Sequence, residues 1–220
     1  MILIGSIHQI QFGSIMNKVV FFGGDGGCLD AFFLACELYE IEEKIVLSDD
    51  KSKVPLGPKW GGGFGNCTDF RGCHFVFQCG NVTNHRQRHV WFEFAKKSGL
   101  IPLTCISQHA YVHHTAIVGL GSIVYPGTQI LTNVKLGDNV VVLPNSTVNH
   151  DCEIGSYTLV NSNCSLNGNI KSGRNVYIGS GSSVREKCSI ASYSTIGIGS
   201  LVLGSIDERG LYFGAPAKKQ

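Results

Sequence analysis

Branched aliphatic residues recur at intervals of six through the second half of the chain. The series comprises Ile117 and Ile123; Leu136, Val142, Val148, Ile154, Val160 and Leu166; Ile170 and Val176; and Val184, Ile190, Ile196 and Val202. Neither the 3.6-residue period of a helix nor the two-residue period of an ordinary strand produces this spacing. A period of six indicates one short strand and one corner per repeat, with the repeated aliphatic side chain pointing inward.

Three such repeats close one triangular coil, so we predict a left-handed parallel β-helix from about residue 116 to residue 205. Its backbone groups pair between successive coils, and the length corresponds to about five coils. The series breaks at Gln129–Val134, between Leu166 and Ile170, and near Ser182, where we expect loops or slipped corners. A β-sandwich is the alternative, but its strands alternate with period two.

The composition favours a globular protein with a small-molecule partner. Hydrophobic residues make up 43% of the chain and charged residues 15%, and the net charge is only +2. A charge this small gives no broad electrostatic attraction to nucleic acid or to a membrane surface. The nine cysteines are an odd number and form no C-x-x-C pair, which favours reduced thiols and a cytoplasmic location.

The first fifteen residues are mildly apolar but include His8, Gln9 and Gln11. They are too short and too polar for a membrane span, and they lack the features of a signal peptide. We interpret residues 1–15 as an N-terminal extension and Met16 as a candidate start.

A strand, a glycine turn and a helix follow in that order. Lys18–Phe22 is rich in β-formers, Gly23–Gly27 forms the turn, and Cys28–Tyr39 is compatible with a helix. Glycine backbone N–H groups and a helix N-terminus can approach a phosphate closely. The turn is not a clean G-x-G-x-x-G, so a dinucleotide site and a tight turn without ligand remain alternatives. One nucleotide moiety fits a domain of about 85 residues better.

Two further apolar runs also end in polar or glycine residues. Lys44–Leu47 leads into Ser48-Asp49-Asp50, and His74–Cys79 leads into Gly80-Asn81. The carboxyl ends of parallel strands lie along one edge of a sheet, so we expect these loops to converge with the glycine turn on one binding site.

The segment Asn149-His150-Asp151-Cys152 places an imidazole beside a carboxylate at a repeat corner. Acyl transfer to an amine needs a base that titrates near neutral pH, and His150 can supply it. Asp151 could fix the imidazole tautomer and raise its basicity. Adjacent strand residues face opposite ways, so Asp151 could instead serve His150 of a neighbouring subunit.

Several alternatives to this pair remain open. His150 could be an exposed corner residue with no catalytic role. His113-His114 point to opposite sides of a strand, and His85 and His89 lack a third metal ligand, so we predict no metal site. Cys152 lies close to the pair, but direct transfer to an amine needs no thiol nucleophile.

The chain resembles the bacterial hexapeptide-repeat sugar acyltransferases of the sialic acid O-acetyltransferase-like type. It is most similar to the N-acetyltransferases of nucleotide-linked 4-amino-4,6-dideoxy sugars, from Asn17 to Lys219. The motifs that carry the resemblance are Val20–Cys28, Leu47–Asp50, Cys79-Gly80-Asn81 with Arg86, the NHDCEIG segment Asn149–Gly155, and the tail Phe213–Lys218.

The resemblance implies a homotrimer with active sites between subunits. Residues 16–105 would form a Rossmann-like nucleotide-sugar-binding domain and residues 106–220 the β-helix domain with its tail. His150 would be the general base and Asp151 the acid that tunes it. The nucleotide sugar would lie across Asp25, Gly26, Gly27, Asp49, Asp50, Gly80 and Asn81, and acetyl-CoA along Leu159, Ser180 and Ile198.

The implied reaction is direct transfer of acetyl from acetyl-CoA to the 4-amino group of a UDP- or dTDP-linked sugar. The chain departs from the family at three positions, because Gly27 and Leu159 stand where histidine is usual and Leu143 where asparagine is common. Sugar O-acetylation is therefore an alternative, and so is a non-catalytic nucleotide-binding trimer.

Overall fold

The computed structural model describes residues 3–4, 13–23, 26–78 and 85–220. An α/β domain comes first and contains a five-stranded, fully parallel sheet. Its strands are β1 (Ile15–Phe22), β2 (Glu40–Leu47), β3 (Lys59–Trp60), β4 (His74–Phe77) and β5 (Ile101–Pro102), in the spatial order β3-β2-β1-β4-β5. The helices are α1 (Gly26–Leu38) and α2 (Arg88–Lys97), with 3-10 turns at Lys51–Lys53, Phe64–Phe70 and His85–Gln87.

The central strand β1 is buried on both sides because each face of the sheet is covered. Val19 and Phe21 pack with α1 in one hydrophobic cluster. Val20 and Phe22 pack with Phe92 of α2 in another. A continuous apolar run is what a parallel strand covered on both faces requires.

The second domain is the predicted left-handed parallel β-helix, formed by two-residue strands every six residues. Its coils pair residues 18 apart in parallel register, as Val124 does with Val142. The strands form three faces, which we name by their outward residues and surroundings. The covered face contains Cys105–Ile106, Ile123–Val124, Val141–Val142, Leu159–Val160, Tyr177–Ile178, Thr195–Ile196 and Leu211–Phe213, with Lys218–Lys219 added antiparallel.

The other two faces differ in the charge of their outward residues. The uncharged face contains Tyr111–Val112, Gln129–Ile130, Thr147–Val148, Ser165–Leu166, Ser183–Val184 and Leu201–Val202. The charged face contains Ile117–Val118, Lys135–Leu136, Glu153–Ile154, Lys171–Ser172 and Ser189–Ile190, and the strand Leu3–Ile4 pairs with its first member. A salt bridge joins Lys135 to Glu153 on this face.

The interior of the β-helix has one unbroken period of six, so the predicted breaks in register are wrong. The inward residue is the second of each strand pair, from Val118 and Val124 through to Val202, and it is aliphatic in every pair except Lys171–Ser172. Ile117 and Ile123 are the outward residues of their strands and not the inward ones. Ile170 and Val176 occupy a second inward series, four residues after the inward residue of each strand, where most repeats carry a smaller residue.

Each edge between faces turns through a residue in the left-handed conformation, with φ near +60°. From residue 121 to residue 199 these positions also recur every six residues. They are Gly121, Gly127, Asn133, Asn139, Asn145, Asp151, Tyr157, Asn163, Asn169, Asn175, Gly181, Lys187, Tyr193 and Gly199. Glycine and asparagine adopt this conformation at the lowest cost, which explains their share of the edges.

The α/β domain packs directly on the covered face of the β-helix. Ile123, Val141 and Leu159 point outward from that face and share a hydrophobic cluster with Leu34 and Leu38 of α1. The described part of the first domain therefore lies on one side of the prism, away from the opposite edge.

Eight cysteines lie in the described part of the chain, and all are free thiols. In that same part, neither helix has the length and apolar character that a bilayer crossing demands.

Candidate functional site

His150 and Asp151 lie together on the edge between the uncharged and charged faces, which we call the histidine edge. Imidazole Nδ1 is 2.8 Å from Asp151 Oδ2, within a single protomer. A carboxylate can only accept, so Nδ1 carries the proton and Nε2 of the neutral ring is left as the basic nitrogen. Hydrogen bonds from His150 and then Asn133 lower the pKa of Asp151, which keeps it ionised at neutral pH.

The pair is supported by the coils on either side. Below it, the amide of Asn133 donates to Asp151 Oδ1 at 3.0 Å. Above it lies Gly168, where an added Cβ would come within 2.5 Å of His150 Nε2. His150 Nε2 itself makes no hydrogen bond with any residue that the structure describes.

Cys152 has a structural position and not that of a nucleophile. Its thiol is buried in the β-helix interior and donates to the Asn167 carbonyl at 3.0 Å. Burial raises the pKa of this thiol, so it remains protonated and poorly nucleophilic. Within the described ranges, no three His, Cys, Asp or Glu side chains are grouped to hold a metal ion.

The strand-end residues of the α/β domain meet at one edge of the sheet. Gly26 and Gly27 open α1, and a Cβ on Gly27 would lie 3.1 Å from Gln78 Nε2 at the end of β4. Gln78 in turn accepts a hydrogen bond from the hydroxyl of Tyr125 in the β-helix. The predicted residues Asp25, Gly80 and Asn81 lie outside the described residues.

Asp49 and Asp50, at the end of β2, both accept hydrogen bonds from nearby residues of the α/β domain. Asp49 Oδ1 accepts from Phe64 N–H at 3.0 Å, and Asp50 Oδ1 accepts from the backbone N–H and hydroxyl of Ser52. The hydrogen bonds from Ser52 lower the pKa of Asp50. Both carboxylates hold the loop beside the strand ends, and their contact with a ligand stays a prediction.

The three residues expected along acetyl-CoA do not share one environment. Ser180 and Ile198 lie one coil apart on the edge between the covered and uncharged faces, joined by a hydrogen bond from Gly199 N–H to the Ser180 carbonyl. The Ile198 side chain is 79% exposed. Leu159 is only 4% exposed, because it lies beneath α1 on the covered face.

A cleft of about 400 Å³ separates α1 from this same edge of the β-helix. Its α1 wall carries Asp30, Phe33 and Glu37, and its β-helix wall includes Leu143 and Pro144. The cleft therefore combines two carboxylates with an apolar floor, and its size lies within the usual range for ligand sites.

Sequence reasoning missed Asn133, Gly168, Gln78 and Asp30. Asn133 and Gly168 lie one coil below and above the His150-Asp151 pair, so counting 18 residues from each member would have found them. Gln78 and Asp30 carry no comparable signal, because their roles depend on how the domains pack.

The repeats match a known family model. Residues 133–168 match the bacterial transferase hexapeptide (six repeats). No curated relative matches the chain at a significant level.

Solved structures resemble nearly the whole chain. The acetyltransferase domain of PglB from Neisseria gonorrhoeae is 25% identical, with a TM-score of 0.85 over 93% of this chain and 100% of that one. That domain has also been solved with acetyl coenzyme A, at 26% identity and a TM-score of 0.84 over the same shares.

A second structure is PerB from Caulobacter crescentus in complex with CoA and GDP-perosamine. It is 22% identical, with a TM-score of 0.80 over 93% of this chain and 97% of that one. WeeI from Acinetobacter baumannii is 22% identical, with a TM-score of 0.77 over 94% and 100%. These two show a shared fold. Taken together, the comparisons show that residues 133–168 contain the transferase hexapeptide repeat and that the chain shares its two-domain fold with the acetyltransferase domain of PglB.

Proposed function

We propose that this protein transfers the acetyl group of acetyl-CoA to the 4-amino group of a nucleotide-linked 4-amino-4,6-dideoxyhexose. The observation that carries the proposal is the His150–Asp151 pair, whose side chains lie exposed on the β-helix edge and leave Nε2 as the basic nitrogen. The amine attacks the thioester carbonyl while Nε2 takes its proton, and the expelled thiolate is then reprotonated by the imidazolium. No acyl-enzyme is needed.

The active site is completed by a second copy of the chain in a homotrimer. In one protomer, the α/β domain covers the face opposite the histidine edge, so its strand ends and His150 point in different directions. The uncharged face presents Tyr111, Gln129, Thr147, Ser165, Ser183 and Leu201, a surface suited to packing against another β-helix. Cyclic trimers would bring a histidine edge to each neighbour's cleft.

The cleft beside α1 supports an amine as the acceptor. Pro144 and Ser162 line the cleft and are one coil apart, and His150 lies between them in the chain. When two β-helices pack side by side in parallel, the cleft of one and His150 of the other are therefore level along the helix axis. Asp30 and Glu37 attract an ammonium group and not a neutral hydroxyl. The apolar floor at Leu143 and Pro144 suits the methyl group of a 6-deoxy sugar.

A panel of nucleotide sugars with either an amine or a hydroxyl at C4 tests the reaction, with thiol release from acetyl-CoA as the readout. We expect turnover with the amines, and His150→Ala should lower kcat about 10²–10⁴-fold. Turnover of the hydroxyl sugars alone would instead establish O-acetylation. Absence of thiol release with every acceptor would overturn the enzyme proposal.

Mixed oligomers test the shared site. Gly26→Glu places a negative charge at the start of α1, in open space, where it would repel a phosphate. Co-expression of this variant with His150→Ala should restore about a quarter of wild-type activity, because each site needs one intact residue from each of two chains. A site contained in one protomer would give no recovery.

A further inference from the structure

We propose that Asn133 and Gly168 are positioning residues for His150. Asn133, one coil below, fixes the carboxylate that orients the imidazole, and Gly168, one coil above, leaves the space in which the ring and its Nε2 lie. The catalytic meaning of this arrangement rests on the proposed function. The arrangement itself is a property of the histidine edge and can be measured without any substrate.

The lower support is a chain of hydrogen bonds through three coils. Asn133 Nδ2 donates to Asp151 Oδ1 at 3.0 Å, while the other carboxylate oxygen accepts from His150. Asn133 is itself fixed, because its backbone N–H donates to Thr115 Oγ1 at 2.8 Å. Thr115 Oγ1 lies 2.9 Å from His113 Nδ1. The carboxylate is therefore held at both oxygens and cannot rotate freely.

One coil above, Gly168 positions the imidazole by having no side chain that would displace it. A Cβ there would lie 2.5 Å from Nε2 and 2.6 Å from Cε1 of His150, closer than any real contact. Gly168 does not adopt the left-handed conformation, so the backbone alone would tolerate alanine. The glycine is explained by the space that the imidazole occupies.

The two supports act on different properties of the imidazole. Asn133 keeps the Asp151 carboxylate facing Nδ1, which favours the tautomer with a free lone pair on Nε2. Gly168 keeps that lone pair accessible to the ammonium or amine proton that it must remove. A displacement of about 1 Å at a reacting group can cost about 10² in rate.

The first test replaces Asn133 with glycine, which keeps the left-handed backbone and removes the amide. The matched control is Lys187→Gly on the same edge, where Lys187 has a φ of 62° against 58° for Asn133. Nitrogen chemical shifts of the His150 ring in the substrate-free protein should show more of the Nε2–H tautomer in Asn133→Gly and no change in the control. We expect kcat to fall about tenfold with KM changed less than twofold.

The second test is Gly168→Ala, which should displace the ring and lower kcat about 10²-fold. CoA binding and thermal unfolding should stay close to wild type.

The proposal is overturned if the ring nitrogen chemical shifts of His150 are unchanged in both variants. Because the chemical shifts are measured without substrate, they test the positioning of His150 even if no acceptor is acetylated. Turnover that depends on His150 but not on Asn133 or Gly168 would reject the positioning role alone.

Discussion

The guanidinium of Arg88, at the start of α2, donates to both oxygens of Asn139 on the β-helix. Its Nη2 lies 2.8 Å from the side-chain oxygen and 3.1 Å from the carbonyl. Asn139 is fully buried, and its amide donates to the carbonyls of Phe77 and Gly121. This asparagine therefore joins the end of β4, the start of α2 and one edge of the β-helix, which fixes the position of the α/β domain on its neighbour.

Asn139→Gly should lower the free energy of unfolding by about 2–4 kcal/mol. Glycine keeps the left-handed backbone but removes an acceptor from a buried charge and a donor from two buried carbonyls. Denaturant unfolding at fixed protein concentration measures the change. Asn163→Gly is the matched control, because Asn163 has the same conformation with an exposed side chain. Equal effects in the two variants would show that the buried contacts add nothing.

Lys187 lowers the stability of the native state, because it occupies a left-handed edge position where glycine or asparagine is usual. An ordinary residue in this conformation costs about 1 kcal/mol or more. We expect Lys187→Asn to raise the free energy of unfolding by about 0.5–1 kcal/mol. Asn169→Lys, one coil below, should lower it by a similar amount. Unfolding curves that move in the same direction for both variants would contradict this account of the edges.

The aliphatic period predicted the β-helix because the inward position holds a branched aliphatic side chain in nearly every repeat, Ser172 being the exception. It failed at Ile123 because the covered face also needs apolar residues outside, beneath α1, and at Ile117 because an outward isoleucine on the charged face comes just before the inward Val118. In Ile117-Val118 and Ile123-Val124 both residues are branched and apolar, so the sequence does not show which of the two points inward. The left-handed edge positions carry the clearer signal, since Asn133, Asn139 and Asn145 continue the period across a predicted break.

The site was predictable where neighbours in sequence are neighbours in space. His150 and Asp151 contact each other as adjacent residues, so the pair could be found from the sequence. The burial of Leu159 could not, because a six-residue repeat does not show which of its three faces another domain will cover. The cleft beside α1 depends on the same packing and was missed for the same reason.

Asp151 should make stability depend on pH on the acid side. Its pKa is lowered from 3.8 in the folded protein, mainly by the hydrogen bond from His150 and then by that from Asn133. A lowered folded pKa means that the stabilising contribution is present above the unfolded value and is lost as pH falls through the folded one. The stability difference between wild type and Asp151→Asn should therefore shrink between about pH 5 and about pH 3. A difference that stays constant over this range would show that the carboxylate pairing contributes nothing.

Asp30→Asn tests whether the cleft selects an amine. The substitution keeps the size of the side chain at the cleft wall and removes its charge, so an ammonium acceptor loses a favourable Coulomb contact. We expect KM for a 4-amino sugar to rise about threefold to tenfold, with kcat within a factor of two, since an exposed charge pair contributes about 1 kcal/mol.

Added salt should reduce the difference between wild type and variant, because it screens the contact. The matched control is Glu40→Gln, which removes an exposed carboxylate at the start of β2, outside the residues that line the cleft. It should leave KM unchanged. If Asp30→Asn instead lowers kcat with KM constant, the carboxylate acts on the reacting centre. If neither parameter moves, the acceptor amine lies elsewhere and the cleft loses its place in the proposed site.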